Sequence, residues 1–501
     1  MSGIKQLAGQ TMWYGGSSIA ARFLNYLLTP YLTATLSGVA YGEMSLVYAF
    51  IPFLNILFTY GLETAFFRFA SDRQKQKEVY DTASISLIVS TVVFTSVLLL
   101  FNNQLAAFIG IQEHPEYLTW VAYIIAFDTL STLAFAKLRF DGRPIKFAVV
   151  RILGILVNIA LTIFLLSFCP RIKAENPTGF IGTFYHPEIG VGYVILANLV
   201  QAVVTFLLLS KEFFSFRLRF NQALWKEIIL YSSPLILAGL AGMINETFDR
   251  LMLRWWTNAP TEDAATFQVG VYSACYKLSI LITLFIQAFR MGAEPFFFKQ
   301  AQGAAPQRTY ARVMKFFVIT ICFMFLAVAL FLDIWKHFIQ NPLQWEGLRV
   351  VPILLLANMF LGVYYNLSIW YKLGNKTLAG AWITLIGAGI TLLVNYLFIP
   401  RFGYMACAWA TFLCYGTMMV VSYKWGQKEY PIPYATKKLI AYFVIVLMLF
   451  GLHSAFEWIG LNVWFNHIFG AMLLYAFTWF IFLVERKEMA KLPVVGRFVK
   501  A

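Results

Sequence analysis

Apolar runs of about 20 residues recur along this chain from end to end, and that is the length a helix needs to cross the core of a bilayer. Hydrocarbon offers the backbone no water, so each run must satisfy its own amides and carbonyls by coiling into a helix. Composition agrees: 60% of residues are hydrophobic and only 13% charged, where a soluble domain carries about a quarter. No polar stretch is long enough to form a separate soluble domain, so the function lies inside or across the membrane. About fourteen runs are expected, from 10–36 at the start, through a sixth at 190–210, to 464–484 at the end. The expected fold class is an all-α polytopic membrane protein.

An internal repeat constrains the architecture further. Gly61 to Arg68 reads GLETAFFR and Gly292 to Lys299 reads GAEPFFFK, a shared G-x-E-x-x-F-F-[R/K]. Each copy closes an apolar run that opens with a matching phrase, Tyr41-Gly42-x-Met44-Ser45-x-x-Tyr48 and Val269-Gly270-x-Tyr272-Ser273-x-x-Tyr276. Six spans separate equivalent points, so the halves run in the same direction and are parallel repeats about an axis normal to the membrane. The expected organisation is an N-lobe over 1–210, an interfacial linker over 211–227, a C-lobe over 228–425, and two added spans with a basic tail over 426–501. The linker is basic and aromatic, which suits a segment lying on the inner leaflet.

Lys and Arg set the orientation. Of the 39 in the chain, most fall in alternate loops and in the tail, which places both termini in the cytoplasm. The opposite side carries Arg171, Lys173, Arg254, Lys336, Arg349 and Arg401. The net charge of +15 is therefore an orienting signal, aided by anionic lipid, and no nucleic-acid partner is expected. The five cysteines are scattered, with no CxxC or Cys/His cluster, so neither a disulfide framework nor a metal site is expected. The first apolar run is expected to be a retained helix, because it is too long for a signal peptide and carries Arg22 and Asn25.

Charges inside spans point to function, because a charge at the bilayer centre costs about 2.5–3.5 kcal/mol even on the lenient insertion scale. Arg22 with Asn25 lies in span 1, Asp128 in span 4, Glu246, Asp249 and Arg250 in the span-7 phrase NETFDRLML, and Lys277 in span 8. Arg22, Lys277, Arg250 and Asn25 are expected to face a cavity between the halves and to meet an anionic group; the guanidinium fork suits phosphate. Asp128, Glu246 and Asp249 are then counter-charges or sites for a coupling H+ or Na+. The bland alternatives are helix-holding ion pairs, Glu246 with Arg250 four residues on, or Lys277 with Asp249. At the inner ends, Glu63, Arg68, Glu294 and Lys299 are candidates for a cytoplasmic gate, against plain snorkelling of the two cations. Arg151 and Arg290 read as ordinary snorkellers. The sequence holds no HExxH, P-loop or GxSxG, so no enzyme activity and no cofactor are expected, and any driving energy comes from an ion gradient, the membrane potential or the substrate's own gradient.

The phrase from Arg22-Phe-Leu-Asn-Tyr-Leu-Leu-Thr-Pro30 to Leu36-Ser-Gly-Val-Ala-Tyr-Gly42-Glu-Met-Ser45 resembles the polysaccharide-biosynthesis branch of the multidrug/oligosaccharidyl-lipid/polysaccharide (MOP) exporter superfamily. Glu246-Thr-Phe-Asp249-Arg250-Leu-Met-Leu resembles that family's start of the second lobe. The resemblance implies two six-helix lobes around a central cavity and alternating access. It also implies a lipid-linked oligosaccharide as substrate (a polyprenyl-pyrophosphate-linked O-antigen or capsular repeat unit), moved to the outer leaflet of a bacterial inner membrane. Arg22 is the position matching the cavity arginine that holds pyrophosphate, and membrane lipids and a polysaccharide polymerase are the implied partners. The fourteen spans also resemble the peptidoglycan-precursor flippases, although their dense set of first-lobe arginines is not present here. The competing reading is an H+ or Na+ coupled multidrug or cation antiporter of the same superfamily, which would want an acid-dominated cavity. A membrane polymerase or ligase would need a larger external loop than the one over 169–189.

Overall fold

Helix is the only repetitive structure among the described residues, as a backbone surrounded by hydrocarbon requires. The computed structural model describes residues 2–70, 75–301, 305–374, 376–460 and 462–490, with side chains for all of these but 2–13, Pro295, Lys299 and Met489. Among them, twelve helices are long and apolar enough to cross a membrane. The protein is thus a multi-pass membrane protein.

Two of the fourteen expected runs are not among the twelve. The first is split into Ser2–Leu27 and Thr29–Thr35, with Pro30 opening the second piece. Arg22, Asn25 and the Gly15-Gly16-Ser17-Ser18 stretch hold its hydropathy down. The sixth is the apolar helix Gly192–Leu208, which at 17 residues rises about 25 Å against the roughly 30 Å of a hydrocarbon core.

The chain forms two compact units. One comprises Met1–Lys277 with Ile339–Gly347 and Ala381–Cys414; the other comprises Leu278–Phe338, Leu348–Gly380 and Tyr415–Ala501.

In the first unit the two repeat-opening phrases pack directly on each other. A Cβ on Gly42 would lie 2.1 Å from the Thr266 carbonyl oxygen, and one on Gly270 would lie 2.2 Å from that of Gly38. Only glycine lets the helix Gly38–Thr59 and the first turns of Glu262–Gln300 approach this closely, the same small-residue packing that joins helices in membranes generally.

The first copy of the G-x-E-x-x-F-F-[R/K] motif does not simply close its helix. Tyr60 and Gly61 both take left-handed backbone angles, φ 35° and 72°, and a new short helix, Leu62–Phe69, follows. Gly61 makes the break cheap. This turn puts Glu63 in the first turn of the new helix and Arg68 in its last, where the helix dipole favours each. The second copy instead continues without a break inside the 39-residue helix Glu262–Gln300.

The two motif copies nevertheless build the same packing, each in its own unit. Phe66 is 1% exposed and sits edge-on to Tyr80, ring centroids 5.9 Å apart, within a core shared with Leu87, Leu133, Ala136, Leu224 and Ile228. In the second unit Phe297, the equivalent phenylalanine, is 5% exposed and edge-on to Tyr310 at 5.2 Å, packed with Ala293, Ile369 and Ile432.

The expected interfacial linker is a short helix, Ser210–Phe213, then irregular chain to Asn221, whose side chain caps the helix Gln222–Glu246 by accepting from the Leu224 amide. It is tied to the start of the third span by the Arg217 amide donating to Asp81 Oδ1 at 2.8 Å, and to the start of the helix Pro144–Ile163 by Glu212, which is 3% exposed and takes both Arg143 and Lys146. Burial works against ionising Glu212, but hydrogen bonding and charge from Lys146, with Arg143 beyond, outweigh it and hold its carboxyl below the ordinary 4.5. Phe214, Leu218 and Phe220 are left exposed.

The last two long helices, Thr436–Glu457 and Val463–Met489, belong to the second unit. Glu485, 1% exposed, anchors them: it takes Lys315 at 2.6 Å, Lys438 at 2.6 Å and the Tyr442 hydroxyl at 2.5 Å.

Candidate functional site

The intramembrane charges of the first unit are not scattered. They lie on six helices, and several act electrostatically on one another. The helix Ser2–Leu27 presents Arg22 and Asn25, three residues apart and both exposed, on one face. Arg22 acts electrostatically on Arg151 of the helix Pro144–Ile163 and on Glu246. The charge of Arg151 in turn acts on Asp128, and its guanidinium lies over Phe135 at 4.9 Å and Phe147 at 5.4 Å. Stacking on aromatic faces holds a guanidinium while leaving its donor edge unused.

The NETFDRLML phrase lies at a break between helices. Gln222–Glu246 ends at Glu246, Thr247 leaves helical geometry at φ −137°, and Phe248–Trp256 begins anew. The break decides the pairing. Arg250 does not reach the carboxylate of Glu246; it donates to that residue's backbone carbonyl at 3.1 Å, and its carboxylate partner is Asp249 at 2.9 Å. Asp249 is 4% exposed, sits in the first turn where an acid is favoured, and accepts a second bond from the Tyr272 hydroxyl at 2.6 Å. The Arg250 guanidinium lies 4.6 Å over the Tyr276 ring and 5.6 Å over that of Tyr272. Tyr272 and Tyr276 are the tyrosines of the second repeat-opening phrase.

Asp249 is therefore already taken by Arg250 and Tyr272, and Lys277 does not pair with it. Among the described residues Lys277 forms no ion pair, and the charge that acts on it is Arg250, another cation. Asn245 is buried, donates to the Thr384 carbonyl at 3.1 Å and accepts from Thr391 at 3.4 Å, which fixes the approach to the break. The track therefore carries Arg22, Arg151, Arg250 and Lys277 against Asp128, Glu246 and Asp249. It is polar, cationic on balance, and able to attract an anion into a low-dielectric setting.

Of the four expected gate residues, three have described side chains. Glu63 forms an ion pair with Arg139, which also lies 5.0 Å from the Phe67 ring. Arg68 lies 4.5 Å over the Tyr231 ring. Glu294 takes Lys372 at 2.6 Å and Arg290 at 3.4 Å. The side chain of Lys299 lies outside the described residues. Each motif glutamate thus pairs with a cation of its own unit, and Arg139 and Lys372 sit at nearly the same offset as the motifs. That offset was the one sequence signal for them. Arg151 could have been found only by knowing that helix Pro144–Ile163 turns it toward Asp128.

Comparisons with known proteins agree with this architecture. The profile of the family described as polysaccharide biosynthesis protein matches residues 7–300. Among curated protein sequences none matches. Among solved structures, the lipid II flippase MurJ in an inward closed conformation superposes with a TM-score of 0.73 at 13% identity, over 95% of this chain and 99% of that one. A multidrug resistance MATE family transporter of the MOP superfamily, inward-facing, gives 0.64 at 14% identity, over 84% of this chain and 95% of that one. A MATE structure in the straight conformation gives 0.58 at 14% identity, over 87% and 96%. At these identities the likeness concerns the fold. Since the family profile spans more than half of the chain, the protein belongs to the polysaccharide biosynthesis protein family, with a fold shared by MurJ and the MATE transporters of the MOP superfamily.

Proposed function

We propose that this protein is an alternating-access flippase that carries a polyprenyl-pyrophosphate-linked oligosaccharide, an O-antigen or capsular repeat unit, from the inner to the outer leaflet of a bacterial cytoplasmic membrane. The observation that carries the reading is the cationic balance of the intramembrane track, above all Lys277, which forms no ion pair among the described residues and lies in the field of another cation, Arg250. A pyrophosphate entering the track offers Lys277 an anion, and Arg22 and Arg250 further charge-assisted contacts. Asn25 adds an amide beside Arg22. Asp128, Glu246 and Asp249 set the positions of the cations or carry a coupling H+ or Na+. The lobes are 1–210 and 228–425, joined by the linker 211–227, with 426–501 as an addition and both termini cytoplasmic. Glu63, Arg68, Glu294 and Lys299 form the cytoplasmic gate, the glutamates exchanging partners as it opens. A polysaccharide polymerase would take the delivered repeat unit.

The second reading, an H+ or Na+ coupled antiporter for drugs or cations, is favoured by the MATE likeness and by Asp128 and Glu246 within the same track. Flipping of a fluorescent polyprenyl-pyrophosphate oligosaccharide in proteoliposomes separates the two. The flippase reading expects activity in the wild type and its loss by about tenfold or more in Arg22→Ala and Lys277→Gln, one charge-assisted contact each. No flipping, with pH- or Na+-driven efflux of a cationic dye, would replace it by the antiporter.

A further inference from the structure

The second motif copy differs from the first in one respect. The Glu63 pair has one cation, whereas Glu294 has two, Lys372 at 2.6 Å and Arg290 at 3.4 Å, so the cluster keeps a net positive charge. The cluster borders a recess lined by Phe289, Arg290, Glu294, Phe297, Asn366 and Lys372, open on one side and about water-sized where it is enclosed. Its three charged side chains are 24–39% exposed and so can be reached from outside.

Two polar groups in this recess have nothing to bind. Arg290 Nε is buried without an acceptor. Asn366 is 5% exposed, uses its amide N–H on the Gly362 carbonyl at 3.1 Å, and leaves Oδ1 buried without a donor. A buried unpaired polar group costs about 1–3 kcal/mol, and here an acceptor and a donor are wanted within one recess. The Arg290 guanidinium is held in place by the Tyr365 ring 3.9 Å beneath it. Its 3.4 Å contact with Glu294 is long for a charge-assisted bond, so its fork is not used up. The matching helix of the first unit breaks at Gly61, whereas Gly292 lies inside a continuous helix that carries Arg290 and Glu294 on one face.

We infer that this recess is a binding site for a phosphate that carries a neighbouring hydroxyl, the chemistry of a glycerophosphate headgroup. One phosphate oxygen enters the recess between Arg290 and Lys372, and the hydroxyl donates to Asn366 Oδ1. Glu294 holds the two cations in place and moderates their charge. The site is built from residues of the second unit alone.

The test titrates the full-length detergent-solubilised protein with phosphatidylglycerol, with glycerol 3-phosphate and with inorganic phosphate, by native mass spectrometry and calorimetry. Saturable binding of phosphatidylglycerol alone identifies a lipid headgroup; binding of the soluble glycerophosphate as well identifies the phosphate-hydroxyl unit itself. Arg290→Gln is expected to weaken binding by about 10- to 100-fold, the loss of one charge-assisted fork. Asn366→Leu is expected to weaken the hydroxyl-bearing ligands and leave inorganic phosphate unchanged. Glu294→Gln distinguishes a site from a structural ion pair, because removing the competing carboxylate should tighten phosphate binding by about tenfold. Should Arg290→Gln fail to fold, Glu294→Gln decides alone. No saturable binding of any of the three, or weaker binding in Glu294→Gln, would overturn the inference.

Discussion

Glu485 offers a direct test of how the last two helices are held. Its carboxylate is 1% exposed and accepts from Lys315, Lys438 and Tyr442, which come from two other helices of the second unit, Pro306–Ala329 and Thr436–Glu457. Glu485→Gln keeps the shape and removes the charge. Lys438 is 40% exposed and can turn to water or headgroups, so it loses little. Lys315 is 13% exposed and cannot. Breaking a buried pair from one side costs 3–5 kcal/mol, and Lys315 keeps partial access to solvent, so about 3 kcal/mol is expected, roughly a hundredfold in the folded-to-unfolded ratio. The neighbouring pair Arg312–Glu488 serves as the control, because its side chains are 49% and 27% exposed; Glu488→Gln should cost under about 1 kcal/mol. Equilibrium unfolding in mixed detergent micelles measures both. A double variant, Lys315→Met with Glu485→Leu, should recover most of the loss, since well-packed apolar groups replace a buried pair at little cost. If Glu485→Gln costs no more than Glu488→Gln, the buried carboxylate is not what anchors these helices.

Other outcomes follow from the same structure. Gly42→Ala places a methyl 2.1 Å from the Thr266 carbonyl oxygen, and should cost about 1–3 kcal/mol of stability by the same unfolding assay, whereas Gly292→Ala meets nothing within 4 Å and should be neutral or slightly stabilising. Glu212 has its carboxyl held below 4.5 in the folded protein, so its contribution is present above that value and is lost as pH falls through the lower folded value. Glu212→Gln should therefore flatten the acid limb of the stability-pH curve, and an unchanged limb would show that Glu212 does not contribute.

Hydropathy alone made the membrane class legible, because about 20 apolar residues have no other low-energy arrangement. The repeat was equally legible, and Phe66 with Tyr80 and Phe297 with Tyr310 show why: each motif needs the same aromatic seat. The count of spans was less secure where the first and sixth runs were short or polar. The pairing of charges was not legible. Spacing joined Glu246 to Arg250, but the helix stops at Thr247, and Asp249 takes the arginine instead. Arg151 read as a snorkeller, yet Arg22 and Asp128 both act on its charge.

The sequence by itself determined which segments enter the membrane, that the chain repeats itself, and which charges must lie in hydrocarbon, because these are sums over local transfer energies. Only the tertiary structure decided which carboxylate meets which cation, that Arg139 and Lys372 serve the two motif glutamates, and that Lys277 has no carboxylate partner among the described residues. Those outcomes depend on helix rotation and on contacts between residues far apart in the chain, and a one-dimensional pattern does not specify either.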